Sequence, residues 1–82
     1  MHELKASKKR IIGLKQTLKA IKEDRAKKIY IAKDADDNIK NSVLELCNEK
    51  ENLQIVHVNT MKELGEACGI EVKASTALLL KD

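Results

Sequence analysis

This chain of 82 residues has no proline and only three glycines, Gly13, Gly65 and Gly69. Chain breaks are therefore few, and helices and strands must follow one another closely, without linkers, repeats or low-complexity runs. Short apolar β-prone runs at 11–12, 28–32, 53–58 and 74–80 read as strands. Helical periodicity falls between them. Leu14, Leu18 and Ile21 recur at i, i+4 and i+7 over 14–24, Ile39, Val43, Leu46 and Cys47 mark a helix ending near residue 50, and Met61, Leu64 and Cys68 mark another. A short helix over 3–9, anchored by Leu4, precedes the first strand. The order β-α-β-α-β-α-β predicts an α/β fold, a three-layer α/β/α sandwich with a mixed sheet of about four strands.

Several end signals sharpen this pattern. Asp34, Asp36 and Asp37 offer cap oxygens to the middle helix, Asn59 or Thr60 can cap the next, and Thr60 with Glu63 has capping-box spacing. Gly69 suits the left-handed residue that stops that helix. The length fits one domain, 1–82. No apolar run approaches the roughly 20 residues of a membrane span, and charge fills the first ten positions where a secretory leader would be apolar. A cytoplasmic, monomeric protein without membrane attachment is expected. Cys47 and Cys68 stand far apart, outside any metal-ligand spacing, and each falls in an apolar periodic pattern, so both read as buried free thiols.

Charge is unevenly placed. Residues 1–33 carry eleven Lys or Arg against three acids, whereas 34–82 carry five Lys against ten acids. A basic first third suits a polyanionic partner. Its focus is 13–19: a glycine ends an apolar run, and a helix begins with Lys15, Gln16 and Lys19 on its first turns. Helix starts carry unpaired N–H groups and partial positive charge, which hold phosphate, and a glutamine amide both donates and accepts, as reading a base edge requires. A glycine at 13 would let a bulky ligand approach the backbone. Equally, these residues suit a tight turn and a wetted helix face. Farther on, Ile70 and Val72 follow two glycines in a connection. Either they turn inward as core or they form an apolar ledge for an unstacked base.

Other chemistries find little support. The three aspartates suit Mg²⁺ in phosphate-handling enzymes, yet no nucleophile, phosphate loop or second acid accompanies them, and capping accounts for them. His57 has no ligand-spaced neighbour. No metal, cofactor or catalytic residue is expected. Tyr30 is the single aromatic residue, which excludes folds that stack bases on aromatic platforms and favours a shaped RNA over a bare strand.

Three stretches now carry a resemblance: Gly-Leu-Lys-Gln-Thr-Leu-Lys-Ala at 13–20, Ile-Ala-Lys-Asp-Ala-Asp at 31–36 and Leu-Gly-Glu-Ala-Cys-Gly-Ile-Glu-Val at 64–72. The chain resembles the kink-turn RNA-binding ribosomal proteins, especially their small bacterial ribosomal-protein-like members. The resemblance implies an α/β/α sandwich and binding to kink-turns, bulged and sharply bent RNA duplexes with tandem sheared G·A pairs. It assigns Gly13, Lys15, Gln16 and Lys19 to the guanines of those pairs. Ile70, Glu71 and Val72 are assigned to the bulge nucleotides, and Lys33 and Asp34 to the adjacent strand end. Lys15-Gln16 departs from the Asn-Glu of archaeal and eukaryotic members and matches the bacterial subgroup. The expected partner is structured RNA, with the ribosome as one setting. A protein–protein adaptor in ribonucleoprotein assembly, meeting basic proteins through the acidic later part, is the alternative.

Overall fold

The computed structural model describes residues 2–51 and 53–81. In chain order they form α1 (His2–Ala6), β1 (Arg10–Ile12), α2 (Leu14–Lys22), β2 (Ala26–Ala32), α3 (Asp37–Asn48), β3 (Gln54–Val58), α4 (Met61–Cys68) and β4 (Thr76–Leu80). The alternation expected from the sequence is present, and only element ends differ. Helix α2 stops at Lys22, short of residue 24, because Asp24 takes a left-handed φ of 58° and Arg25 N–H turns back to Ala20 O at 2.9 Å. Strand β4 starts at Thr76 instead of residue 74, because Ala74 N–H is bonded to Met61 O at 3.0 Å. Helix α1 ends at Ala6, short of residue 9, where Ser7 Oγ accepts from Lys9 N–H at 3.0 Å and Arg10 then opens β1.

The sheet order is β1-β4-β2-β3. Strands β2 and β3 are parallel, and β4 runs antiparallel to both β1 and β2. Strands β1, β2 and β3 therefore point the same way. The two inner strands are apolar on both faces, which is why 28–32 and 76–80 read as continuous runs and not as alternations. Ile29, Ile31 and Leu78 pack with Ala20, Ile21, Val43 and Cys47 of α2 and α3 on one face. Tyr30, Ala32, Ala77 and Leu79 pack with Leu4, Leu64 and Cys68 of α1 and α4 on the other. This is the three-layer α/β/α sandwich with a four-stranded mixed sheet. Tyr30 is fully buried in it, so no aromatic platform faces solvent. Cys47 and Cys68 are free and buried, and burial raises both thiol pKa values, for Cys68 against the opposing pull of Arg10. His57 is exposed on the edge strand β3.

Arg10 belongs to the fold and not to a basic surface patch. Its guanidinium donates to Leu4 O at 3.0 Å, Lys5 O at 3.3 Å and Cys68 O at 2.6 Å. These carbonyls lie at the C-terminal ends of α1 and α4, where acceptors are unpaired and partial charge is negative. One planar cation thus ties α1 to α4 across the layer. Arg10→Ala is expected to destabilise the protein by about 2 kcal/mol in chemical denaturation, the scale of hydrogen bonds from a charged donor. Arg10→Lys should recover only part of this, since a single ammonium cannot span three carbonyls. A loss under about 0.5 kcal/mol in Arg10→Ala would contradict the assignment.

Candidate nucleic-acid interface

Because β1, β2 and β3 share a direction, their C-terminal ends and the helices that follow all open at one end of the sheet. Hydrogen bonds draw this end together. Gly13 N–H donates to Thr76 O at 3.0 Å, Ala32 N–H to Ser75 O at 3.0 Å, and Lys33 N–H to Val58 O at 2.7 Å. The buried hydroxyls of Thr17 and Thr76 face each other at 3.5 Å and seat α2 on β4. Ligands of open α/β sheets bind beyond strand ends of this kind.

Three helix starts meet there, and they are not equivalent. Helix α3 is capped by Asp36, whose carboxylate accepts from Asn38 N–H at 2.8 Å, and Asp37 lies in its first turn. Helix α4 is capped twice: Thr60 Oγ1 accepts from Glu63 N–H at 3.0 Å, and Asp34 Oδ1 accepts from Met61 N–H at 2.7 Å. Helix α2 has neither a side-chain cap nor an acid in its first turn. Its first return bond is Thr17 N–H to Gly13 O at 3.2 Å, so the N–H groups before Thr17 point outward from the helix start. Gly13, at φ 108° and ψ 156°, leads into it through a conformation that essentially only glycine adopts. A Cβ there would meet nothing within 4 Å, so its surroundings are open, and the requirement for glycine comes from the backbone.

Around that start, Lys15, Gln16 and Lys19 are exposed. They border a shallow depression with Leu18 and Lys22. Lys15, Lys19 and Lys22 form one cationic ridge opposite the buried Thr17, Ala20 and Ile21. Lys15, a cation in the first turn, opposes the helix dipole. Helices α3 and α4 each place an acid in the first turn, Asp37 and Glu63, whereas α2 places none there.

Beside this start runs the segment 69–75. Gly69 ends α4 at φ 77°, as expected. The chain then doubles back along α4, with Ile70 N–H bonded to Gly65 O at 3.1 Å and Ala74 N–H to Met61 O at 3.0 Å. The two aliphatic residues divide between the alternatives left open by the sequence. Ile70 packs partly against the α4 core, whereas Val72 is 69% exposed, the exposed large hydrophobic side chain among the described residues. Glu71 is exposed beside it.

Lys33 and Asp34 lie at the same end but are engaged internally. Lys33 Nζ donates to Asn59 Oδ1 at 3.3 Å, and Lys40 Nζ donates to Lys33 O at 2.9 Å. Asp34 caps α4 from across the sheet, an arrangement that local capping patterns cannot show because 27 positions separate it from Met61. Among the described residues no group of three His, Cys, Asp or Glu could hold a metal ion. Among the described residues no helix is long and apolar enough to cross a membrane.

The whole chain, residues 1–82, matches the ribosomal protein L7Ae/L30e/S12e/Gadd45 family. The protein belongs to that family. It is 49% identical over 69 residues to an RNA-binding protein of Caldanaerobacter subterraneus subsp. tengcongensis, covering 84% of this chain and 83% of the relative. It is 50% identical over 70 residues to an RNA-binding protein of Bacillus pumilus, covering 85% and 84%. Among solved structures, a 15.5 kD RNA binding protein of Giardia lamblia superposes with a TM-score of 0.80 at 26% identity, covering 99% of this chain and 68% of that one. The fold is also shared with a Bacillus halodurans protein of unknown function, at a TM-score of 0.83 and 18% identity over 95% of this chain and 77% of that one.

The contact from Asp34 to Met61 gives a test. Asp34→Ala should cost about 1 kcal/mol of stability, as for a lost helix cap, and should speed amide exchange at Met61. Unchanged stability would remove the capping role and leave Asp34 free to act at the surface.

Proposed function

We propose that residues 1–82 form a single RNA-binding domain that recognises kink-turns and stabilises their bent form. It acts by binding, without catalysis or cofactor, as a cytoplasmic monomer on structured RNA, ribosomal RNA included. The observation that carries this reading is the start of α2, the one helix start at the shared end with neither a side-chain cap nor a first-turn acid. Its outward N–H groups suit a phosphate, and Lys15 and Lys19 add charge-assisted contacts. The Gln16 amide suits the edge of a guanine in a sheared G·A pair, since it donates and accepts in one plane. Val72 offers an apolar surface to an unstacked bulge base, with Ile70 and Glu71 beside it. Lys33 and Asp34 support this surface by fixing the ends of β2 and β3 and the start of α4.

The mechanism is a shift of population. A free kink-turn exchanges between extended and bent forms, and a protein that binds only the bent form draws the equilibrium toward it. Moving a 1:99 balance to 99:1 requires roughly 5.5 kcal/mol of differential affinity. A few base contacts at about 1–3 kcal/mol each, with the phosphate contacts, reach that figure. Four of the ten acids that motivate the adaptor alternative have structural roles. Asp34, Asp36, Asp37 and Glu63 sit at helix starts, where they stabilise the fold.

Gel-shift titration of a kink-turn duplex, against one whose sheared pairs are replaced by Watson–Crick pairs, tests the reading. The kink-turn should bind more tightly by at least about tenfold, and Gln16→Ala should erode that preference. Lys19→Glu should weaken binding strongly at moderate salt, and Lys19→Ala should lower the salt slope by about one. Equal affinity for the two duplexes would contradict the proposal.

Lys15→Glu separates function from stability. It should stabilise the free protein by about 0.3–1 kcal/mol, because an acid in the first turn complements the helix dipole. It should at the same time weaken RNA binding at least tenfold. Losing both together, or neither, would contradict the role given to Lys15.

A further inference from the structure

Gly65 lies buried in the middle of α4, under the returning segment. A Cβ built there would collide with the carbonyl oxygen of Val72 and stand 3.1 Å from both Lys73 Cα and the Val72 carbonyl carbon. These neighbours are backbone atoms, so they cannot swing aside as the end of a long side chain does. Two main-chain hydrogen bonds hold the segment on either side of this approach, Ile70 N–H to Gly65 O and Ala74 N–H to Met61 O. The consequence appears at the same residue: with its own carbonyl pressed onto the helix, Val72 projects its side chain into solvent, 69% exposed.

We infer that Gly65 is a positioning residue, which seats the 70–74 backbone on α4 before RNA arrives and so pre-forms Val72 as an apolar ledge for one unstacked base. This rests on the RNA-binding reading above and adds to it the residue that sets the ledge. A flexible connection would lose conformational entropy when a base docked on it, whereas a segment already strapped to a helix loses little. The whole apolar gain at Val72 is then available for binding. Neither Gly69 nor Gly13 does this work. Gly69 serves a left-handed helix end, and Gly13 faces open space.

The test uses the full-length protein with three RNAs: a kink-turn, the same kink-turn with an abasic residue at the extruded bulge position, and the straightened duplex with Watson–Crick pairs. Wild type should bind the intact kink-turn about five- to tenfold more tightly than the abasic one. Gly65→Ala should bind both kink-turns at the abasic level while still preferring them to the straightened duplex. If wild type does not distinguish kink-turn from straightened duplex, the RNA reading fails. If wild type makes that distinction and Gly65→Ala keeps the full preference for the intact base, the inference is overturned and the RNA reading stands. A wild type that ignores the abasic change likewise overturns it. Amide exchange in the free wild-type protein needs no variant to fold. Ile70 and Ala74 should be well protected before RNA is added, and exchange at open-loop rates would overturn the pre-formed ledge.

Discussion

Unpaired backbone N–H groups at the starts of helices must be satisfied, and here the fold brings three such starts to one end of one sheet. The chain treats them differently. Asp36 serves α3, and Thr60 with Asp34 serves α4, so two of the three are closed by the protein's own oxygens. The third, α2, begins from a glycine without a side-chain oxygen and carries lysine where an acid would suit the dipole. A side-chain cap and a first-turn acid are missing at this start and present at its two neighbours. Such a break within a consistent fold is where function is to be sought.

The return of the chain along α4 supplies the second half of the surface. Because β4 runs against the other strands, the segment leaving α4 must climb back to the helix-start end before the strand can begin. It does so with its backbone pressed on Gly65 and its amides bonded to Gly65 O and Met61 O. Strand β4 then enters between β1 and β2, with Thr76 bonded to Gly13. Residues some sixty positions apart in sequence thus become neighbours through one main-chain hydrogen bond. On the proposed reading, the cationic helix start holds the phosphate and base edges of a bent RNA while the apolar ledge receives the base that the bend expels.

Much of this was legible in the residues. The apolar runs at 28–32 and 74–80 read as strands, and both prove to be inner ones, with side chains on both faces of β2 and β4 buried. The periodicity of Leu14, Leu18 and Ile21 placed α2, and Thr60 and Gly69 gave α4 its two ends. What escaped were interactions between residues distant in the chain. Composition counts Arg10 only as one of eleven cations over 1–33, and its partner, the carbonyl of Cys68, lies 58 positions away. Asp34 looked like a cap for the next helix and instead caps the one after it. Gly65 reads in the sequence only as one of two glycines ahead of Ile70 and Val72, and the doubled-back segment shows that its missing side chain makes room for a carbonyl. The split between a half-buried Ile70 and an exposed Val72 follows from that same packing, which periodicity within the segment cannot reveal.

The central claim is that RNA meets this protein at the uncapped start of α2 and not at the other two helix starts. Nuclear magnetic resonance titration of the labelled protein with a kink-turn RNA tests it most directly, because each helix start reports through its own amides. The account predicts the largest shifts at Leu14, Lys15 and Gln16, with small ones at Asn38 and Glu63, whose N–H groups are already held by Asp36 and Thr60. Shifts centred on the starts of α3 or α4, with α2 undisturbed, would contradict it.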